Sequence, residues 1–237
     1  MEHLTLKNYL SQPPYSKQPN IKDKIVSQKY WEYQVSEPHI INHFGLKILR
    51  STHPEVRRIK RKQLGHSAHG NKVWRSSFAL IDYLETYPLE PQSKVLEIGC
   101  GWGLSGLYAA KKQNAEVTGI DIDSSVKPYF ELQNSINDCA ITFEERSFES
   151  FSQTELGEYQ YIMGSDICFW DEMTNPLFDF IQQSVEAGIK KILISDPGRP
   201  PFWALAELCS ETLNSEIITR RIYQPFKSEK YILVIEN

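Results

Sequence analysis

Two carboxylates and a run of glycines stand at spacings suited to a charged, ribose-bearing ligand. The stretch Val95-Leu96-Glu97-Ile98-Gly99-Cys100-Gly101-Trp102-Gly103-Leu104-Ser105-Gly106 places an acid inside an apolar run, just ahead of the glycines. Gly101, Gly103 and Gly106 satisfy G-x-G-x-x-G, a turn that lets backbone N–H groups and a helix N-terminus approach a ligand closely. That pattern alone fits a dinucleotide site or an ordinary strand-to-helix turn equally well. Glu97 narrows it, because an unpaired carboxylate is costly to bury, and a ligand bearing an ammonium or sulfonium would give it a partner. Asp121 ends the next apolar run, Val117-Thr118-Gly119-Ile120-Asp121-Ile122-Asp123, where a carboxylate can accept both hydroxyls of a ribose.

Two later segments carry further acids after apolar runs. They are Gly164-Ser165-Asp166-Ile167-Cys168-Phe169-Trp170-Asp171-Glu172 and Ile194-Ser195-Asp196-Pro197-Gly198-Arg199-Pro200-Pro201-Phe202. In open α/β sheets ligands bind outside the carboxyl ends of the strands, so these segments should face the reacting group. Asp166 is placed to orient an attacking amine. Asp171 and Glu172 also suit the start of a following helix, and Asp196-Pro197-Gly198 also suits a tight turn without chemistry.

The elements that must hold these residues follow from periodicity. Trp74, Phe78, Ile81 and Leu84 recur at helical steps over Val73–Tyr87, and Pro88 and Pro91 stop that helix. Strands are then expected at Lys94–Ile98, Ala115–Asp121, Ile141–Arg146, Tyr159–Gly164 and Lys190–Ser195. Helices are expected at Leu104–Gln113, Val126–Asn137, Asn175–Ala187 and Pro201–Leu213, and Glu216–Tyr223 with Lys230–Glu236 reads as a closing hairpin. This alternation predicts an α/β fold: a Rossmann-like, seven-stranded, mostly parallel sheet with helices on both faces and a C-terminal antiparallel hairpin.

The segments Val95–Gly103 and Val117–Asp123 resemble motifs I and II of class I (seven-β-strand) S-adenosylmethionine-dependent methyltransferases, and the likeness extends over residues 70–237. It implies S-adenosyl-L-methionine as cofactor, with Gly99, Gly101 and Gly103 along its methionine end, Glu97 near its amino group and Asp121 on its ribose. Ile122, Ser147, Phe148 and Ser165 join the implied cofactor set, Ser147 and Phe148 at the adenine, where the family often has an acid. Asp166, Phe169 and Glu172 resemble the D-x-x-Y-x-x-[DE] signature of the lysine methyltransferase subgroup, with Phe169 in place of the tyrosine. The run Asp196–Pro200 is similar to the D-P-G-R-P loop of electron-transfer-flavoprotein β-subunit lysine methyltransferases and their bacterial relatives. The helix around Trp74 resembles that family's Trp-containing first helix, implying that Trp74 packs near the cofactor. The implied activity is protein-lysine N-methylation with Asp166, Phe169 and Glu172 as catalytic residues. The alternatives are N-methylation of a small amine and a cofactor-binding interaction protein without turnover.

Residues 1–69 read as a basic N-terminal extension with short helices, ahead of a methyltransferase domain at 70–237. Residues 1–75 hold 14 Lys+Arg against 5 Asp+Glu and all six histidines, whereas residues 76–237 hold 12 against 25. Arg57-Arg58-Ile59-Lys60-Arg61-Lys62 is either a docking surface for an acidic partner or a solvated helix face; nucleic acid is not the expected partner. His39-x-x-x-His43 and His66-x-x-His69 have metal-ligand spacing if helical, but Cys100, Cys139, Cys168 and Cys209 are widely spaced, and no metal is expected. His66 and His69 are alternatively placed at the mouth of the site. No run approaches the ~20 apolar residues of a membrane span, and the N-terminus lacks a secretory pattern, so a cytoplasmic protein with free thiols is expected.

Overall fold

The computed structural model describes residues 38–63 and 72–237. The first described element is a hairpin, β1 (Ile40–His43) with β2 (Leu46–Leu49), paired antiparallel. Its two-residue loop, Phe44-Gly45, has both φ values positive, +53° and +65°, as the tight hairpin turns that match strand twist require. Phe44, Leu46 and Ile48 enter the main core. The free edge of β2 is closed by side chains from far along the sequence. Lys47 N–H donates to Asn137 Oδ1 (2.9 Å), Leu49 N–H donates to Gln133 Oε1 (3.0 Å), and both amides donate back to Lys47 C=O. Helix α1 (Pro54–Lys62) follows, capped by His53, with Val56 and Ile59 packed towards Trp102 and Tyr129 and the cations Arg57, Arg58, Lys60, Arg61 and Lys62 exposed. One short helix thus stands in the extension as expected, preceded by a hairpin that was not. His39 and His43 lie on and beside a strand, where four residues span about 13 Å. His66 and His69 fall outside the described residues.

Helix α2 (Ser76–Thr86) begins three residues later than the periodicity predicts, leaving Trp74 just ahead of it. Strands β3 (Lys94–Ile98), β4 (Glu116–Asp121), β5 (Thr142–Glu145), β6 (Tyr161–Ser165) and β7 (Lys191–Asp196) are parallel, and β8 (Ser215–Ile222) and β9 (Ser228–Glu236) close the sheet antiparallel. The order is β5-β4-β3-β6-β7-β9-β8. Alternate residues along each strand serve opposite faces. Val95, Met163, Leu193 and Val234 pack under α2 and α3 (Leu104–Gln113). Leu96, Ile162, Ile192 and Leu233 pack under α6 (Thr174–Glu186) and α7 (Pro200–Thr212). Helix α4 (Lys127–Ser135) follows β4, and a short α5 (Gln153–Leu156) starts with a Ser152–Glu155 capping box. The chain runs outward from β3 to β5 on one side and through β6 and β7 on the other. That reversal at β3 and β6 opens a crevice at their carboxyl ends, which is where such sheets bind ligands.

Candidate active site

At the carboxyl end of β3, Glu97 is 2% exposed. Its Oε2 accepts the Gly106 N–H at 3.0 Å, and Ser105 adds further donors. Burial is the main force that pushes its carboxyl up to about 7, and Asp121 adds to the rise while the Gly106 and Ser105 donors oppose it. Among the described residues no cation pairs with it. Gly106 is the residue that permits this arrangement, since a Cβ there would fall 2.6 Å from Glu97 Oε2 and 2.8 Å from Val117 Cγ1. Gly99, Gly101 and Gly103 all have positive φ, and Gly103 in this conformation starts α3.

Asp121 ends β4 and ties the loop together. Its Oδ2 accepts Gly101 N–H at 2.9 Å and its Oδ1 accepts Asp123 N–H at 3.0 Å, while burial raises its pKa. A Cβ on Gly101 would meet nothing within 4 Å, so the loop faces open space there. Ile122 is 76% exposed. Trp102 turns the other way and stacks on Tyr129 at 5.1 Å and 6°. Ser147 caps the single turn Phe148–Ser150, and Phe148 packs edge-on against Phe180 at 5.2 Å.

The carboxyl end of β6 presents Ser165 and Asp166. Ser165 Oγ lies 3.4 Å from Ser105 Oγ and so joins the two strand ends. Asp166 takes a left-handed φ of +57° and is 5% exposed. Its N–H donates to Ser195 C=O at 2.8 Å, its Oδ2 accepts the Ser76 N–H at 2.9 Å, and its Oδ1 accepts from Arg199 Nη2 at 3.1 Å. The Ser76 N–H is one of the free donors at the start of α2, and a carboxylate satisfies it while meeting the positive end of the helix. Trp74 and Phe169 meet edge-on at 5.2 Å beside this acid, and Lys72 Nζ lies 4.1 Å from the Trp74 ring centre.

The structure thus brings Glu97, Asp121 and the glycines together at one end of the crevice, and Trp74, Asp166 and Phe169 at the other, with Ser165 between them. Ile122, Ser147 and Phe148 lie beyond β4 and β5. Glu172 is exposed on a one-turn helix, Asp171–Met173, with Trp170 beside that turn 54% exposed. Arg199 is absent from the residues singled out by sequence, yet it links Asp166 to Asp196. The D-P-G-R-P run contained it, but nothing local indicates a partner at Asp166. Among the described residues no cluster of three or more metal-binding side chains exists.

These residues fit S-adenosylmethionine. A buried carboxylate without a cation matches the ammonium of its methionine end, open space beside Gly101 admits a ligand against the backbone, and Asp121 lies at the strand end suited to ribose hydroxyls. A family model described as lysine methyltransferase matches residues 55–199, more than half of the chain. The chain belongs to that family. Its seven-stranded fold is shared with solved methyltransferases. The chain is 28% identical over 131 residues to the electron transfer flavoprotein beta subunit lysine methyltransferase of Xenopus laevis, covering 54% of this chain and 52% of that protein. It is also 28% identical over 151 residues to phosphoethanolamine N-methyltransferase 1 of Arabidopsis thaliana, covering 63% of this chain and 29% of that one. The matches therefore span about half or less of those relatives' own length. The crystal structure of a ribosomal protein L11 methylase from Lactobacillus delbrueckii subsp. bulgaricus shares the fold, with a TM-score of 0.56 at 14% identity over 84% of this chain and 99% of that one.

Proposed function

We propose that this protein is an S-adenosylmethionine-dependent methyltransferase that modifies a lysine amine of a protein acceptor. The observation that carries the reading is the buried Asp166 at the end of β6, walled by Phe169 and Trp74 and linked through Ser165 and Ser105 to the Glu97 end of the crevice. The lysine methyltransferase family match and the Xenopus laevis relative support it. When bound, S-adenosylmethionine supplies a methyl group on a sulfonium, whose charge disperses during in-line transfer. Glu97 meets the ammonium, Asp121 receives the ribose hydroxyls, Ile122, Ser147 and Phe148 border the adenine, and Trp74 covers the methyl end. Lysine has an ordinary pKa of about 10.4 and must be neutral to attack. A dry aromatic wall disfavours the ammonium, and Asp166 orients the amine or receives its proton. Phe169 can provide the wall without a hydroxyl. Glu172, at the exposed rim, meets the incoming acceptor rather than the reacting atoms.

In the same reading residues 1–69 are the acceptor-selecting extension of a 70–237 catalytic domain, and the exposed cations of α1 dock an acidic protein surface. The apolar side of α1 is already committed to Trp102 and Tyr129, which turns those cations outward. Transfer that weakens strongly between low and physiological salt is the expected result; salt-independent transfer would make that helix a solvated face. The described cysteines are free thiols, in line with a cytoplasmic setting, and no described helix is long and apolar enough to cross a membrane.

Similarity to a phosphoethanolamine N-methyltransferase favours a second reading, transfer to a small amine. Labelled S-adenosylmethionine incubated with the protein and cell extract separates the two. Label in the protein fraction, on lysine after hydrolysis, is expected. Label confined to small molecules would replace the first reading with the second.

A further inference from the structure

The turn after β7 does more than reverse the chain. Asp196 is fully buried, and its Oδ1 accepts the N–H groups of Gly198 (2.9 Å) and Arg199 (2.8 Å), which is enough to hold the turn. Its Oδ2 takes Arg199 Nη1 at 2.6 Å, which fixes the guanidinium rather than the backbone. The other arm of the same guanidinium, Nη2, reaches Asp166 Oδ1 at 3.1 Å. Its central carbon lies over the Phe169 ring, 4.1 Å from the ring centre, and 5.9 Å from that of Trp74. One side chain from the turn after β7 therefore reaches three of the residues assigned to the acceptor end, all of them delivered by other segments.

The backbone at Asp166 explains the need for such a link. A non-glycine residue in the left-handed region carries backbone strain, and persists where its surroundings over-determine it. Three contacts hold Asp166 there: Ser195 C=O on its N–H, Ser76 N–H on Oδ2 and Arg199 on Oδ1. Only the last also fixes Phe169. The planar fork of arginine can serve two carboxylates at its edges and a ring on its face at once, which a lysine ammonium cannot.

We propose that Arg199 is a positioning residue of methyl transfer, locking Asp166 and Phe169 into one rigid wall at the acceptor amine. It rests on the reading of the acceptor end given above. Arg199 itself makes and breaks no bond. Because it covers one face of Phe169, the acceptor must approach the wall from another side.

The full-length protein tests this with Arg199→Ala, Arg199→Lys and the double variant Asp196→Asn/Arg199→Gln, which removes one charge of each sign and so avoids leaving Asp196 buried without its cation. Each is measured for thermal stability, S-adenosylmethionine affinity by calorimetry, and transfer of labelled methyl at saturating extract protein. In the folded variants cofactor affinity should stay within a few-fold of wild type. Transfer should fall about 100-fold in Arg199→Ala and in the double variant, the scale of a misplaced reactive group. Arg199→Lys should recover only part of that loss. Millimolar guanidinium should raise the rate of Arg199→Ala and leave wild type unchanged. A double variant with wild-type transfer would overturn the assignment, and so would loss of cofactor affinity equal to the loss of rate. Wild-type protein that labels nothing would instead fail the proposed function, so the two failures are distinct.

Discussion

The two ends of the crevice bury their acids in opposite ways. Among the described residues Glu97 has only N–H and hydroxyl donors around it, and burial holds its carboxyl near 7. Asp166 and Asp196 share Arg199, at 3.1 and 2.6 Å. An internal cation completes the Asp166 end, the proposed acceptor end, before any ligand arrives. Among the described residues the Glu97 end, the proposed cofactor end, has no such cation, and the fold is less stable for it. An acid kept in this state makes physical sense when the missing charge comes with the ligand. Removing an acid should therefore damage the fold at one end and favour it at the other.

The largest expected effect is at the acceptor end. Asp166→Ala removes the acceptor of two charge-assisted hydrogen bonds, from the buried Ser76 N–H and from Arg199, which keeps Asp196 alone, and each such bond is worth roughly 1.5–3 kcal/mol. Chemical denaturation should show that loss. Asp166→Asn keeps the shape and should fold, bind cofactor and transfer little methyl. Normal transfer by the Asn variant would remove Asp166 from the chemistry and leave it a structural staple.

Glu97→Gln should act the other way on the cofactor-free protein. A folded carboxyl near 7, against 4.5 as its ordinary value, binds its proton more tightly than the unfolded chain does. Its contribution is therefore fully present below about 4.5, declines as pH rises, and has lost about 3 kcal/mol above 7. The Gln variant, which cannot ionise, should be the more heat-stable protein at pH 8 while binding S-adenosylmethionine about 10- to 100-fold more weakly, the worth of one charged hydrogen bond at roughly 1.5–3 kcal/mol. Equal melting temperatures for the two proteins across pH 5–8 would erase the contrast between the ends.

A smaller effect asks whether the N-terminal hairpin supports the cofactor end. Asn137→Ala leaves the Lys47 N–H without its partner, a loss of roughly 1–3 kcal/mol. It should loosen the packing around Trp102 and Tyr129 and weaken cofactor binding a few-fold, with the transfer rate at saturating cofactor unchanged. An equal fall in that rate would tie the hairpin to the acceptor end instead.

Much of this arrangement was legible in the sequence because it depends on local patterns. Lys94–Ile98 and Leu104–Gln113 were bounded correctly by apolar runs and glycines, and the sheet with its closing hairpin followed from the alternation of elements. The hairpin at Ile40–Leu49 was not legible. Its turn is Phe-Gly rather than the Asn-Gly or Asp-Gly that signals this geometry, and its open edge is satisfied by Gln133 and Asn137, more than eighty residues away. Trp74 joined the helical period of Phe78 and Ile81, yet the carboxylate of Asp166 sets the helix start at Ser76. Arg199 was hidden for a related reason. A turn motif accounts for Asp196, Pro197 and Gly198 locally, and the second carboxylate lies 33 residues away in sequence.

The contrast between the two ends is tested most directly by calorimetric titration of S-adenosylmethionine between pH 5.5 and 7. If Glu97 awaits the ligand's cation, affinity should fall towards tenfold per unit as pH drops below about 7, with a proton released on binding, and Glu97→Gln should show neither. Wild-type affinity that stays constant over this range, with no proton released, would contradict the account.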